Sequence, residues 1–125
     1  MIHIDPQAVV HETAVIGENS SIGPFCTIGA HVQIGENSRL RSHVVVEAHT
    51  SIGKDCDIFP FVTIGIQSQD TKYVPDTVTY TRIGDRNVIR EFVSIHSGTE
   101  EGSATIVGND CNLLAFSCCT QLYRG

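Results

Sequence analysis

Aliphatic residues recur every six positions through the first half of this chain, a period that matches neither a helix nor an ordinary strand. The series is Ile4, Val10, Ile16, Ile22, Ile28, Ile34, Leu40, Val46, Ile52, Ile58 and Ile64. Glycine follows at Gly17, Gly23, Gly29, Gly35, Gly53 and Gly65. A small or β-branched residue stands two positions ahead of each aliphatic one, as at Ala8, Ala14, Ser20, Cys26, Val32, Ser38, Val44, Thr50, Cys56 and Val62. A fixed period is read before any single element. Six residues make one short strand and one turn, so three such units close a triangular coil. Coils stacked roughly 4.8 Å apart pair through their backbones. The pattern predicts a three-sided parallel β solenoid with the aliphatic side chains inside. Ile16, Ile34 and Ile52 should form one inner column, and Ile22, Leu40 and Ile58 another.

The phase is lost twice. Residues 66–82 carry no repeat and read as an ejected loop; the frame resumes at Ile83-Gly84, Ile89 and Ile95. Residues 97–105 form a second loop before Val107-Gly108 and Leu113 restore it. Long loops on a rigid scaffold are places where function concentrates. The chain therefore reads as all-β: one solenoid domain over residues 1–117 with two ejected loops, and a tail over residues 118–125.

Composition narrows the function. At 125 residues the chain has room for one domain of ordinary size, and the absence of Trp with a single Met fits β structure. A formal charge of −6 argues against a nucleic-acid partner. The start, Met1-Ile-His-Ile-Asp5, shows no secretory pattern, and no apolar run is long enough to enter a membrane, so a cytoplasmic protein is expected. The five cysteines lack CxxC spacing and are expected to be reduced; Cys26, Cys56 and Cys111 take the small inward slot and read as packing. His31 and His49 are three repeats apart and should stack in one column. Two ligands without a third do not make a metal site, so neither metal nor other cofactor is expected.

More specific motifs sit on this scaffold. IGPF (22–25), RSHVVVEAHTSIGKD (41–55), QDTKY (69–73), IGDRNVIRE (83–91) and SIHSGT (94–99) together resemble the UDP-N-acetylglucosamine 3-O-acyltransferases of lipid A biosynthesis, over roughly residues 1–117. The resemblance implies a left-handed β-helix assembled as a homotrimer, with active sites between neighbouring subunits. It implies transfer of a 3-hydroxyacyl chain from acyl carrier protein to the 3-hydroxyl of UDP-N-acetylglucosamine. It also places Gln69, Asp70 and Lys72 on a substrate-contacting loop and His96 in the same cleft. Such chemistry needs a base for the hydroxyl proton and donors for the developing oxyanion.

The chain departs from that pattern after Asn112-Leu-Leu-Ala-Phe116. The resemblance implies a His-x-x-His motif there, its second histidine the general base, followed by further coils and a helical domain. The sequence reads Ser117-Cys-Cys-Thr-Gln-Leu-Tyr-Arg-Gly125, and no histidine follows His96. Codons for Cys118 to Gly125 can be chosen so that CA inserted before them yields His-Val-Ala-His-Asn-Cys-Thr-Val. A frameshifted tail is therefore expected, with loss of catalytic activity and a last coil that frays or is covered by another subunit. Another sugar acyltransferase of the same repeat is an alternative; so is a noncatalytic trimeric scaffold or a remnant that still binds a sugar nucleotide.

Overall fold

A computed structural model of the chain describes residues 1–67 and 77–114 in full, and the strands Cys118–Cys119 and Leu122–Tyr123 by their backbone. It is a left-handed parallel β-helix. Its three sides are three sheets of six strands each. The first face runs from His3–Ile4 through Ser21–Ile22, Arg39–Leu40, Asp57–Ile58 and Val88–Ile89 to Asn112–Leu113. The second runs from Val9–Val10 through Thr27–Ile28, Val45–Val46 and Thr63–Ile66 to Ser94–His96 and Cys118–Cys119. The third carries Val15–Ile16, Gln33–Ile34, His49–Ile52, Tyr80–Ile83, Ala104–Val107 and Leu122–Tyr123.

The register is the one the period demands. Ile16 lies beside Ile34 and Ile34 beside Ile52, while Ile22, Leu40 and Ile58 align on the first face. These columns form a single apolar core in which Ile58, Ile64, Ile89 and Ile95 are wholly enclosed.

The small inward slot does more than save space. On the first face the Ser20 hydroxyl donates to the Gly35 carbonyl at 2.7 Å and accepts from the Ser38 backbone N–H at 3.1 Å. Ser38 repeats the arrangement one coil on, to the Gly53 carbonyl and from the Cys56 N–H. The Cys56 thiol then donates to the Gly84 carbonyl at 3.2 Å, and the Asn87 amide to the Gly108 carbonyl at 2.8 Å. Cys56 is thus a member of a hydrogen-bond ladder as well as a packing residue. Burial pushes the Cys26 and Cys56 thiols up from their ordinary pKa, which keeps them protonated.

The corner between the first and second faces is built from residues that the period does not reveal. Phe25, His43, Phe61 and Phe92 all take positive φ, between 53° and 65°, a region that side chains other than Gly, Asn and Asp seldom occupy. Their rings stack along the axis at 4.9 to 5.5 Å. The corner between the third and first faces uses Asn19, Asn37, Asp55, Arg86 and Asp110 in the same conformation, and here Asn and Asp are the expected residues.

Both loops are shorter than the lost phase implied. Ile66 still belongs to the second face, and Tyr80–Ile83 already belongs to the third, which leaves 67–79 outside the strands. The second excursion narrows to 97–103, because Ala104–Val107 is strand. The phase resumes earlier because Thr81 and Thr105 already fill the small inward slot two positions ahead of Ile83 and Val107, in register with Thr50. Both are buried, and their hydroxyls find no partner among the described residues. Cys118–Cys119 pairs in parallel with Ser94–Ile95, and Leu122–Tyr123 lies antiparallel on Ala104–Thr105, so two of the three sheet edges at the far end carry a further strand.

Two substitutions test this packing. Ile34→Asp buries an unpaired charge in the column between Ile16 and Ile52 and should abolish the cooperative thermal transition seen by circular dichroism. A Cβ at Gly23 would lie 1.4 Å from the Arg41 carbonyl oxygen, whereas one at Gly29 meets nothing closer than 3.5 Å. Gly23→Ala should therefore cost about 3 kcal/mol in urea titration and Gly29→Ala almost nothing.

Candidate functional site

Both excursions leave the prism at one corner, between the second and third faces, and a bulge makes the departure possible. The pairing of Thr63–Ile66 with Ser94–His96 shifts register between Ile64 and Ile66. Gly65, at the bulge, has φ +78°, and a Cβ there would sit 2.2 Å from the Thr50 hydroxyl and 2.3 Å from the Glu47 carbonyl oxygen. Only glycine fits such a position without rearrangement. The Thr50 hydroxyl meanwhile donates to that Glu47 carbonyl at 2.6 Å and fixes the corner beneath the bulge.

The roots of the two excursions are tied to each other. The Ser97 N–H donates to the Ile66 carbonyl at 2.9 Å, and the Thr79 hydroxyl to the Ser97 hydroxyl at 2.9 Å. The Gly102 N–H donates to the Val78 carbonyl at 2.9 Å. Between them lies a cleft of about 330 Å³ lined by Glu47, Ala48, His49, Gly65, Gln67, Thr77, Val78, Thr79 and Ser97. That lining offers one carboxylate, one imidazole, one amide and several hydroxyls, a set suited to the hydroxyls of a sugar.

Of the residues singled out in the sequence, His96 lies at this root, opposite Ile66 in the register and immediately before Ser97. It is 2% exposed, and burial holds its pKa below the ordinary histidine value, so the ring is neutral at neutral pH. Gln69, Asp70 and Lys72 lie outside the described residues. The two described ends of their segment, Gln67 and Thr77, both line the cleft. Glu47, His49, Thr79 and Ser97 were not singled out from the sequence. Their signal was arithmetical: both excursions begin just past the second-face column, after Ile64 and after Ile95, so both must leave at the same corner.

His31 and His49 do stack, with ring centroids 4.3 Å apart and 14° between planes, and Tyr80 continues the stack at 5.4 Å from His49. Among the described residues, no group of three or more His, Cys, Asp or Glu gathers in a way that would hold a metal ion. A larger hollow of about 450 Å³ lies on the first face over Gly23. Its Arg41 is already engaged, bidentate to Asp57 and 4.0 Å over the Phe59 ring.

Comparison with known proteins agrees with this geometry. Residues 13–48 match the bacterial transferase hexapeptide family, six repeats. A UDP-N-acetylglucosamine acyltransferase from Bacteroides fragilis is 36% identical, with a TM-score of 0.87, over 94% of this chain and 46% of that one. Another solved UDP-N-acetylglucosamine acyltransferase is 37% identical, with a TM-score of 0.90 over the same shares. The enzyme of that name from Francisella novicida is 36% identical, with a TM-score of 0.78, over 94% of this chain and 45% of its own. The chain thus spans slightly less than half the length of these relatives.

His96 allows a test by pH. Its depressed pKa means that the unfolded chain takes up a proton, as pH falls through the ordinary value near 6.5, before the folded chain does. This group should leave stability unchanged above about pH 7.5 and lower it progressively below about pH 6.5. Urea midpoints measured at pH 8 and pH 5 should converge when His96→Gln is compared with the parent.

Proposed function

We propose that this chain is the N-terminal coil region of a UDP-N-acetylglucosamine 3-O-acyltransferase of lipid A biosynthesis, which retains sugar-nucleotide binding and lacks the transfer step. The observation that carries the reading is the likeness to those acyltransferases over 94% of the chain, together with two excursions meeting at one polar cleft. In the full reaction the 3-hydroxyl of the sugar attacks the thioester carbonyl of a 3-hydroxyacyl group on acyl carrier protein. The hydroxyl proton passes to a base, the C–S bond breaks, and the thiolate leaves and takes up a proton.

This chain supplies the binding part of that sequence. Glu47, His49 and Ser97 hold sugar hydroxyls at the corner, while Gln69, Asp70 and Lys72 contact the substrate from the loop and His96 stands neutral beneath it. The base is what is missing. Ser117-Cys118-Cys119 occupies the place of the expected histidine motif, and a thiol is a poor acceptor for a hydroxyl proton at neutral pH. The solenoid assembles as a cytoplasmic homotrimer with the cleft between subunits, and no cofactor takes part. A noncatalytic sugar-nucleotide-binding scaffold is the second reading, favoured by that same missing base. Resequencing the codons from Ser117 onward separates a shifted frame from a diverged tail.

Calorimetric titration with UDP-N-acetylglucosamine should give saturable binding, weakened about tenfold, or 1.4 kcal/mol, by Glu47→Gln. An assay with 3-hydroxyacyl carrier protein should yield no acylated sugar nucleotide above a buffer control. Absence of binding would remove the proposal, and appearance of product would overturn the assignment of a missing base.

A further inference from the structure

The third face carries a second hollow that the proposed site does not use. It has a volume of about 180 Å³ and is lined by His31, Gln33, His49, Ser51, Tyr80 and Arg82, above the buried Thr50. That volume is well under the roughly 300–1,000 Å³ typical of pockets for drug-sized ligands, which suits a small ion or one group of a larger molecule. Its chemistry is one-sided. A guanidinium, two imidazoles, a phenol, a hydroxyl and a primary amide line it, and no carboxylate does.

That absence is informative in a chain with fourteen acidic residues against eight Lys and Arg. Arg41 is held by Asp57, Arg86 by Asp110 and Arg90 by Glu91, each at 2.8 to 3.0 Å. Arg82 forms no ion pair among the described residues; its guanidinium rests 5.7 Å over the Tyr80 ring. Its neighbours in the sheet register are Ser51 on one side and Ile106 on the other, so the fold places no acid beside it. Glu47 lines the loop-root cleft and not the hollow. The side chains of His31, Gln33, His49, Ser51 and Tyr80 likewise make no hydrogen bond among the described residues, and the two imidazoles stack face to face. A guanidinium fork and neighbouring ring N–H and O–H donors are the groups that bind tetrahedral oxyanions.

We propose that this hollow is an anion subsite that takes a phosphoryl group through Arg82, His31 and His49. The group is either free phosphate or the diphosphate of a nucleotide. His49 lines both the hollow and the loop-root cleft, so a nucleotide sugar seated in the cleft has its phosphates within reach of it. Only this nucleotide source rests on the proposed function; the subsite itself rests on its unengaged donors.

The test follows the imidazole C2–H resonances of the full chain by NMR while inorganic phosphate replaces chloride at constant ionic strength and pH. His31 and His49 should shift saturably, while His3 and His11 stay still. Arg82→Gln, an exposed substitution, should weaken saturation at least tenfold with an unchanged melting temperature, and His31→Asn should weaken it independently. A non-saturating response, or one equally strong in Arg82→Gln, would overturn the subsite. UDP and UDP-N-acetylglucosamine form the other arms. Saturation of the same two resonances at lower concentration than phosphate supports the nucleotide source. Saturation by phosphate alone supports the subsite with the free ion as its ligand, whatever becomes of the sugar-binding test on Glu47→Gln.

Discussion

Everything in this molecule depends on each coil finding its backbone partners in the next. The N–H of Gly17 donates to the Ile34 carbonyl, that of Gly35 to Ile52, that of Gly53 to Ile83 and that of Gly84 to Val107, all at 2.7 to 2.8 Å. Strands of two residues, as most of these are, have no stability of their own and exist only as rungs in such a stack. The stack fixes the axial repeat, and the repeat fixes the rest. Inward side chains must sit over their equivalents, the second inward slot must stay small, and glycine must stand where the next coil's carbonyl comes within bonding distance of where a Cβ would be. The Ser20–Ser38–Cys56–Asn87 ladder turns that crowding to use by spending the slot's polar atoms on those carbonyls.

The same constraint decides where chemistry can be placed. An insertion within a face would break the interstrand bonds of that rung, so additional residues must leave at a corner. Here both leave at the same corner on successive coils, and the bulge at Gly65 is the local cost of opening it. Polar side chains that would be costly in the core are gathered there and satisfied: Thr50 on Glu47, Thr79 on Ser97, Ser103 on Glu100. The site is thus carried by rigid coils with short tethers at its root, an arrangement that preorganises contacts to a ligand.

How far this was legible in the sequence follows from which residues the stack constrains. The aliphatic columns were readable because a period of six leaves little freedom inside the prism, and Ile16, Ile34, Ile52 and their counterparts lie where the period puts them. Corners constrain backbone and not side chain, so Asn19, Asn37 and Asp55 were consistent with turns, but Phe25, Phe61 and Phe92 at positive φ carried no recognisable signal. The limits of the loops were set too wide because only the aliphatic positions were followed, although Thr81 and Thr105 stand two ahead of Ile83 and Val107 as Thr50 does ahead of Ile52. His96, singled out through its motif, is buried beside Ser97 at the root of the loops and is not part of the cleft's lining. Glu47 and His49 were not legible, since they look like any outward residues until the turn is known that puts them under the bulge.

A solenoid separates binding from chemistry more readily than a globular core does. Each coil is stabilised by the coils before and after it, so the coils carrying Glu47, Gly65 and Ser97 draw their stability from Ile28, Val46, Ile64 and Ile95 and not from whatever histidine a later coil would bring. Cys118–Cys119 pairs with Ser94–Ile95 in the place where a further repeat would sit, and Leu122–Tyr123 turns antiparallel onto Ala104–Thr105. The geometry of the cleft therefore rests on the coils beneath it and not on the strands that pair at the far end.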